Sequence, residues 1–203
     1  MSRTFRFITV ILYILVSTYG CFSSWMHYDA RFFLYFTNLG NLYCLALMIN
    51  ELVRLIRRKS ISQPLMQWEF GGLISILVIG AVYNLLLGDP TSAEYWANKP
   101  SVCLHLITPI LYAIYFFSTR PVRKVAVGGI QCSILLPYLY IAFIYTRHLI
   151  TGDQWFPYFF LDINCIGWIG ALYWIAGLTL IFVITGIAFI HLGRRKAHKT
   201  HKK

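Results

Sequence analysis

Six long stretches without a charged residue divide this 203-residue chain and restrict what it can fold into. Each stretch is close to or longer than the ~20 residues that an α-helix needs to cross a bilayer. Backbone groups inside lipid must be hydrogen-bonded within the chain, so helices are expected there. The predicted spans are residues 7–26, 32–50, 70–88, 100–119, 125–146 and 163–193. The sequence therefore predicts an all-α, polytopic membrane domain over residues 1–193, followed by a basic tail over residues 194–203.

The composition agrees with this class of protein. Hydrophobic residues make up 58% of the chain and charged residues 12%, whereas soluble domains carry about 25% charged residues. Six spans leave no room for a separate soluble domain. A signal peptide over residues 1–24 is the other interpretation of the N-terminus; it is not favoured, because no clean cleavage site follows and five more spans do.

The distribution of Lys and Arg predicts the orientation. If the N-terminus is cytoplasmic, 15 of the 18 basic residues lie in cytoplasmic segments, and only Arg31, Lys99 and Arg147 lie outside. Cytoplasmic segments of membrane proteins are enriched in Lys and Arg, so both termini are expected inside a cell membrane. The basic residues are spread over four segments at helix ends, which predicts contacts with anionic phospholipid headgroups rather than with nucleic acid.

No cofactor is expected from the motifs. The five cysteines form no CxxC pair, and no metal or nucleotide-binding motif is present. Cysteines in apolar stretches are typical of buried, small apolar side chains. A disulfide among Cys21, Cys103 and Cys165, all near the outer face, is left open. The sequence predicts neither a metal site nor a cofactor.

A threonine and a histidine lie at the same predicted depth. Thr37 is six residues into the second span and His105 six residues into the fourth, and both of these spans run inward from the outer face. At 1.5 Å per residue each lies ~9 Å below the outer end of its helix. An ionisable side chain inside a membrane is costly and tends to be functional, so we expect the two to share a site in the outer leaflet.

Helical spacing extends this site. Asn41 follows Thr37 at i+4, and Thr108 follows His105 at i+3, so each pair shares one helix face. Asn84 lies near the outer end of the third span. We therefore expect a polar pocket between the second, third and fourth spans.

Several of these groups also have purely structural explanations. Thr37 could bond its own helix, and Asn41 could bond a neighbouring helix. Pro109 should loosen the hydrogen bond to the His105 carbonyl and bend the fourth span. Asp162 could orient a pocket residue or could cap the sixth span, where a carboxylate favours the helix dipole. The aromatic loop before it is typical of a membrane-interface belt.

Three short motifs resemble a known family. They are FTNLGNL at 36–42, HLITPILY at 105–112 and WFPYFFLD at 155–162. They are similar, in order and position, to motifs of the androgen-induced-gene family of six-span membrane proteins, whose relatives include the androgen-dependent TFPI-regulating protein. The aromatic loop resembles that of bacterial members, with Phe159 in place of a proline. The resemblance implies a transmembrane threonine hydrolase that cleaves fatty-acid esters of hydroxy fatty acids, with the nucleophile at Thr37 and its histidine partner at His105.

The chemistry expected from these residues is ester hydrolysis. His105 would act as the general base for Thr37, Asn41 or Asn84 would donate to the oxyanion, and Asp162 would be an orienting partner. Two alternatives remain open: a non-enzymatic membrane binding protein or small transporter whose ligand path these groups line, and a lipid acyltransferase. Transport is less favoured, because few polar groups continue into the inner halves of the spans.

Overall fold

A computed structural model of the chain describes residues 3–122, 125 and 127–200, with side-chain positions as far as residue 192. The described part is 87% helical and contains no strand. Residues 201–203 of the predicted tail lie outside the described residues. The predicted class, all-α with six helical segments long and apolar enough to span a bilayer, is confirmed for the part of the chain described.

The six spans are built from eight α-helices and several tighter or wider turns. The α-helices are α1 Arg3–Tyr28, α2 Phe36–Ile56, α3 Gln63–Val82, α4 Ala93–Ala97, α5 Lys99–Val102, α6 Thr108–Thr119, α7 Gly128–Thr151 and α8 Ile163–Thr200. Two π-helical turns, Tyr83–Leu87 and Cys103–Ile107, continue α3 and join α5 to α6. Two 3-10 helices lie at Asp29–Leu34 and Phe159–Leu161. The spans are Arg3–Leu34, Phe36–Ile56, Gln63–Leu87, Lys99–Thr119, Gly128–Thr151 and Ile163–Leu192.

The start of the second span differs from the prediction. Residues 29–34 form a 3-10 helix, and Tyr35 is extended (φ −99°, ψ 121°), so α2 begins at Phe36. Thr37 therefore lies in the first helical turn and not six residues into a helix. The backbone N–H groups of a first turn have no partner within the helix, and this becomes important at the candidate site.

The third span is the centre of the bundle. Residues 69–76 are all buried, and α3 packs against α2, α6, α7 and α8. Gly71 permits the close approach to α7, because a Cβ there would lie 2.9 Å from the backbone carbonyl carbon of Cys132. The sixth span, by contrast, packs mainly against α7 and the 3-10 helix at Phe159–Leu161.

The up-and-down path gives the bundle two distinct ends. We call the end that carries residues 29–35, 88–98 and 152–162 the site face. We call the opposite end, which carries residues 57–62 and 120–122, the ion-pair face. Both faces are defined by the chain path alone.

A cluster of buried charges closes the ion-pair face. Glu51 accepts hydrogen bonds from Arg6, from Arg54 at 2.8 Å and from Arg120 at 2.7 Å. Glu69 also accepts from Arg120, at 2.7 Å. Both glutamates are fully buried. Arg54 and Arg120 belong to the basic segments for which headgroup contacts are predicted, but their side chains are buried against these carboxylates.

Candidate functional site

Thr37 and His105 meet at the site face. The Thr37 Oγ1 lies 3.3 Å from the His105 Nε2. The contact joins the first turn of α2 to the π-helical turn Cys103–Ile107 in the fourth span. Thr37 is half-buried and His105 is 9% exposed. The predicted pairing of the two side chains is present.

The other ring nitrogen of His105 is held by the backbone of its own span. His105 Nδ1 lies 2.8 Å from the carbonyl oxygen of Ser101. A carbonyl oxygen only accepts hydrogen bonds, so Nδ1 carries the hydrogen and Nε2 presents its lone pair to Thr37. This arrangement is the tautomer that a general base for the Thr37 hydroxyl requires.

An aromatic ring fixes the plane of the imidazole. The ring of Tyr83 stacks on that of His105, with centroids 3.5 Å apart and planes 14° apart. The Ser101 hydroxyl donates to the Tyr83 hydroxyl at 2.8 Å and lies 3.1 Å from His105 Nδ1. Stacking and hydrogen bonding together leave the imidazole little freedom to rotate.

Tyr158, in the loop before the sixth span, contacts the threonine from the opposite side. Its hydroxyl accepts the backbone N–H of Thr37 at 3.3 Å and lies 3.5 Å from Thr37 Oγ1. The loop therefore supplies a partner for one of the free N–H groups in the first turn of α2. Burial raises the pKa of the Tyr158 phenol, so the hydroxyl stays protonated at neutral pH and can donate its own hydrogen.

Asn41, for which the sequence predicts a role in oxyanion binding, uses its side-chain amide for contacts within the bundle. Asn41 Nδ2 donates to the carbonyl oxygens of Thr37 at 2.9 Å and Leu104 at 3.2 Å. Its Oδ1 accepts the Thr108 hydroxyl at 2.8 Å. Because both amide hydrogens are used and the side chain is fully buried, Asn41 serves to tie the second span to the fourth.

Asn84 is likewise committed elsewhere. Its Nδ2 donates to the carbonyl oxygens of Gly80 at 2.7 Å and His105 at 3.0 Å, and its Oδ1 accepts the Tyr95 hydroxyl at 2.5 Å. The His105 carbonyl is free because Pro109, four residues on, has no N–H. Asn84 therefore takes the place of the missing helical donor and does not face the threonine.

Asp162 does not orient the pair. Its Oδ1 accepts the backbone N–H of Asn164 at 3.0 Å, and its Oδ2 lies 3.2 Å from the Cys165 sulfur. These contacts place it at the start of the sixth span, in the position of a helix cap. Of the two roles that the sequence allows for Asp162, helix capping agrees with these contacts. The group that contacts His105 Nδ1 and orients the imidazole is the Ser101 carbonyl.

Two cavities meet at Thr37. A polar cavity of about 480 Å³ lies between the ends of the first four spans and includes both Thr37 and His105 in its lining. A narrower apolar slot of about 80 Å³ runs between the second, third, fifth and sixth spans. Both are lined by Thr37, Tyr83, Leu87 and Tyr158. The threonine hydroxyl thus stands at a boundary between polar and apolar space.

The site contains the groups for nucleophilic chemistry by a hydroxyl. A nucleophile, a base and an orienting acceptor follow one another in a chain of contacts, which is the general signature of an activated nucleophile. Within the described residues, no three His, Cys, Asp or Glu side chains lie close enough together to hold a metal ion.

Two members of the site, Ser101 and Tyr158, were not predicted from the sequence. Ser101 lies four residues before His105, and that helical spacing is a signal that could have found it. Tyr158 gave no such signal, because tyrosines near helix ends are common in membrane proteins. Tyr83 lies beside Asn84 at the outer end of the third span, where the sequence predicts polar groups facing the pocket, but its stacking on His105 was not predicted.

Comparison with family models, with curated proteins and with solved structures finds no match to this chain.

Proposed function

We propose that this chain is an integral membrane threonine hydrolase that cleaves a fatty-acid ester, with Thr37 as the nucleophile and His105 as the general base. The observation that carries the proposal is the 3.3 Å contact between Thr37 Oγ1 and His105 Nε2, with Nδ1 held 2.8 Å from the Ser101 carbonyl. The resemblance to the androgen-induced-gene family, which assigns the same two residues, is consistent with it.

In the first half-reaction, the Thr37 oxygen attacks the ester carbonyl and its proton passes to His105 Nε2. The tetrahedral intermediate then collapses, and the leaving alkoxide takes that proton from His105. The products of this half-reaction are the free alcohol and an acyl ester of Thr37.

In the second half-reaction, water takes the place of the alcohol. His105 accepts a proton from the water as its oxygen attacks the acyl carbonyl. It returns the proton to Thr37 Oγ1 when the carboxylic acid leaves. The polar cavity beside His105 gives this water a path to the site.

Tyr158 is the best-placed donor for the oxyanion. Its oxygen accepts the Thr37 N–H, so its own hydrogen is directed elsewhere, and it lies 3.5 Å from the attacking oxygen. A donor held next to developing negative charge in a water-poor site typically contributes on the order of 3 kcal/mol. We assign it this role in place of Asn41 and Asn84.

We place the protein in a cell membrane with both termini in the cytoplasm and the site face outside. The asymmetry of 15 basic residues against three supports this orientation. In that orientation, the site lies near the outer interface, where water and lipid are both available.

Labelling with a fluorophosphonate tests the nucleophile. In membranes containing the protein, we expect covalent labelling that is lost in Thr37→Ala, reduced at least 100-fold in rate in His105→Ala and retained in Thr37→Ser. Asn50→Ala, at an exposed position on the same helix, is the matched control and should label like the parent protein.

Two results would overturn the proposal. One is the absence of labelling in protein that elutes as a folded species. The other is labelling that survives in Thr37→Ala, which would move the nucleophile to another residue. Incubation of the acylated protein with a lipid alcohol then separates hydrolysis from acyl transfer, because a transferase would form a new ester in place of the free acid.

A further inference from the structure

The position of His105 fixes which half of an ester lies in which cavity. His105 lines the polar cavity but not the apolar slot, whereas Thr37 lines both. A base that takes the proton from the nucleophile must return it to the oxygen of the leaving alcohol. The alcohol therefore leaves on the His105 side, and the acyl chain lies on the other side of Thr37.

The apolar slot has the shape and chemistry for one acyl chain. From Tyr140, beside Phe36, its lining continues along α7 to Ile134, six residues or about 9 Å deeper. Aliphatic side chains such as Val78, Ile134 and Leu178 form its walls. Its small volume, about 80 Å³, suits one chain better than two side by side.

The polar cavity suits an alcohol of different character. Besides Thr37 and His105, hydrogen-bonding side chains in its wall include Ser23, Ser24, His27, Tyr28, Asn98 and Ser101. Over the described part of the chain, this wall contains no Asp, Glu, Lys or Arg. Hydroxyl and amide groups pair well with neutral hydroxyls, whereas a phosphate group selects for Arg or Lys.

Resting on the proposed hydrolase activity, we infer that the substrate is an ester of one fatty acyl chain with an uncharged, hydroxyl-bearing alcohol such as glycerol. The acyl chain occupies the slot, and the alcohol occupies the polar cavity and leaves through the site face. This substrate differs from the fatty-acid ester of a hydroxy fatty acid that the resemblance implies. In that ester the alcohol is itself a long chain, and part of it would lie against hydroxyl and amide groups of the polar cavity.

Three octanoyl esters that differ only in the alcohol test this inference. With the full chain in lipid nanodiscs, we expect kcat/KM for 1-octanoylglycerol to exceed that for octyl octanoate and that for octanoylglycerol phosphate by at least 10-fold each. Equal or faster cleavage of octyl octanoate would overturn the inference that the alcohol is polar. Equal cleavage of octanoylglycerol phosphate would overturn the inference that the alcohol is uncharged. Either result leaves the hydrolase itself standing.

Filling the slot tests the acyl assignment. Ile134→Trp should lower the ratio of octanoylglycerol to acetylglycerol cleavage at least 10-fold, because the longer chain loses its space. Leu139→Trp, at a lipid-exposed position on the same helix that is 58% exposed, should leave the ratio unchanged. An unchanged ratio in Ile134→Trp would place the acyl chain elsewhere.

A binding measurement separates this inference from the proposed chemistry. Thr37→Ala is irradiated with a diazirine-bearing octanoylglycerol, and the labelled peptides are identified by mass spectrometry. Labels on residues of the third, fifth and sixth spans around Val78, Ile134 and Leu178 support the inference even if no ester is hydrolysed. Labels confined to other surfaces overturn it, whatever the fluorophosphonate result.

Discussion

The Thr37–His105 pair is oriented by a backbone carbonyl and not by a carboxylate. A buried carboxylate beside apolar slot and lipid would carry a large desolvation cost, whereas the Ser101 carbonyl is a dipole already present in the helix. It accepts from Nδ1 at 2.8 Å and selects the tautomer that faces the threonine. In the proposed mechanism, the Ser101 carbonyl thus orients the base without a buried negative charge beside it.

Tyr158 provides a prediction at the same scale. Tyr158→Phe removes the hydroxyl beside Thr37 while keeping the ring. We expect kcat to fall about 100-fold, or ~2.7 kcal/mol of transition-state stabilisation, with little change in KM, because the donor acts on charge that forms only in the transition state. Initial-rate kinetics on 1-octanoylglycerol measure both constants.

The control for Tyr158 is Tyr173→Phe, which removes a tyrosine hydroxyl from a position in the sixth span that is 76% exposed. It should keep the parent kcat. A Tyr158→Phe protein with parental kcat would show that the oxyanion is stabilised by another donor.

At the scale of elements, two π-helical turns build the site. Tyr83–Leu87 and Cys103–Ile107 face each other, one supplying the stacking ring and the other the imidazole. Turns of this kind are rare and recur at functional sites. Pro109 follows the second turn, and a Cβ on Gly80 would lie 2.8 Å from the His105 carbonyl oxygen, so close packing of the third span against this turn requires glycine.

Asn84 should hold these two turns together. Asn84→Leu leaves the carbonyl of His105 without its 3.0 Å donor. We expect stability to fall by about 1–2 kcal/mol, between the small average value of a membrane hydrogen bond and the cost of an unpaired buried carbonyl. Reversible unfolding in mixed micelles measures the change.

Asn50→Leu makes the same chemical change at an exposed position and should leave stability within 0.5 kcal/mol, about the scatter of surface substitutions. Equal stability of the two variants would mean that water or another group satisfies the carbonyl.

At the scale of the whole molecule, the two ends of the bundle differ in their chemistry: one carries the candidate site and the other carries buried ion pairs. The site face is open to two cavities that meet at Thr37, whereas at the ion-pair face two buried glutamates and their arginines join the helix ends. Arg120 joins Glu51 of the second span to Glu69 of the third. These contacts hold the helix ends together at this face.

Breaking this cluster should destabilise the fold. Arg120→Met leaves Glu51 and Glu69 buried with fewer partners, and removal of one member of a buried ion pair typically costs about 3–5 kcal/mol. The free energy of unfolding in mixed micelles checks this value. Arg57→Met, at an exposed basic position on the same face, is the control. If Arg120→Met loses no more unfolding free energy than Arg57→Met, the glutamates find other partners.

Much of this arrangement could be predicted from local patterns. Apolar stretch length indicates the spans, and the matched positions of Thr37 and His105 indicate their contact. The predicted position of Thr37 within its helix differs from the structure, because Thr37 lies in a first turn after the 3-10 helix and not six residues into a helix. Helical spacing could not predict the contacts of Asn41 and Asn84, because the Leu104 and His105 carbonyls that they bind belong to another span.

The sequence by itself determined that the chain forms six apolar helices and that few of its polar groups are available for chemistry, because both follow from the cost of burying charge and unpaired backbone in lipid. Only the tertiary structure decided that Tyr158, 121 residues from Thr37, completes the site, that Ser101 orients the base, and that a polar cavity and an apolar slot meet at one hydroxyl. These are contacts between segments far apart in the sequence. Their energy depends on the distances between separate helices, which the spacing of residues along one helix does not predict.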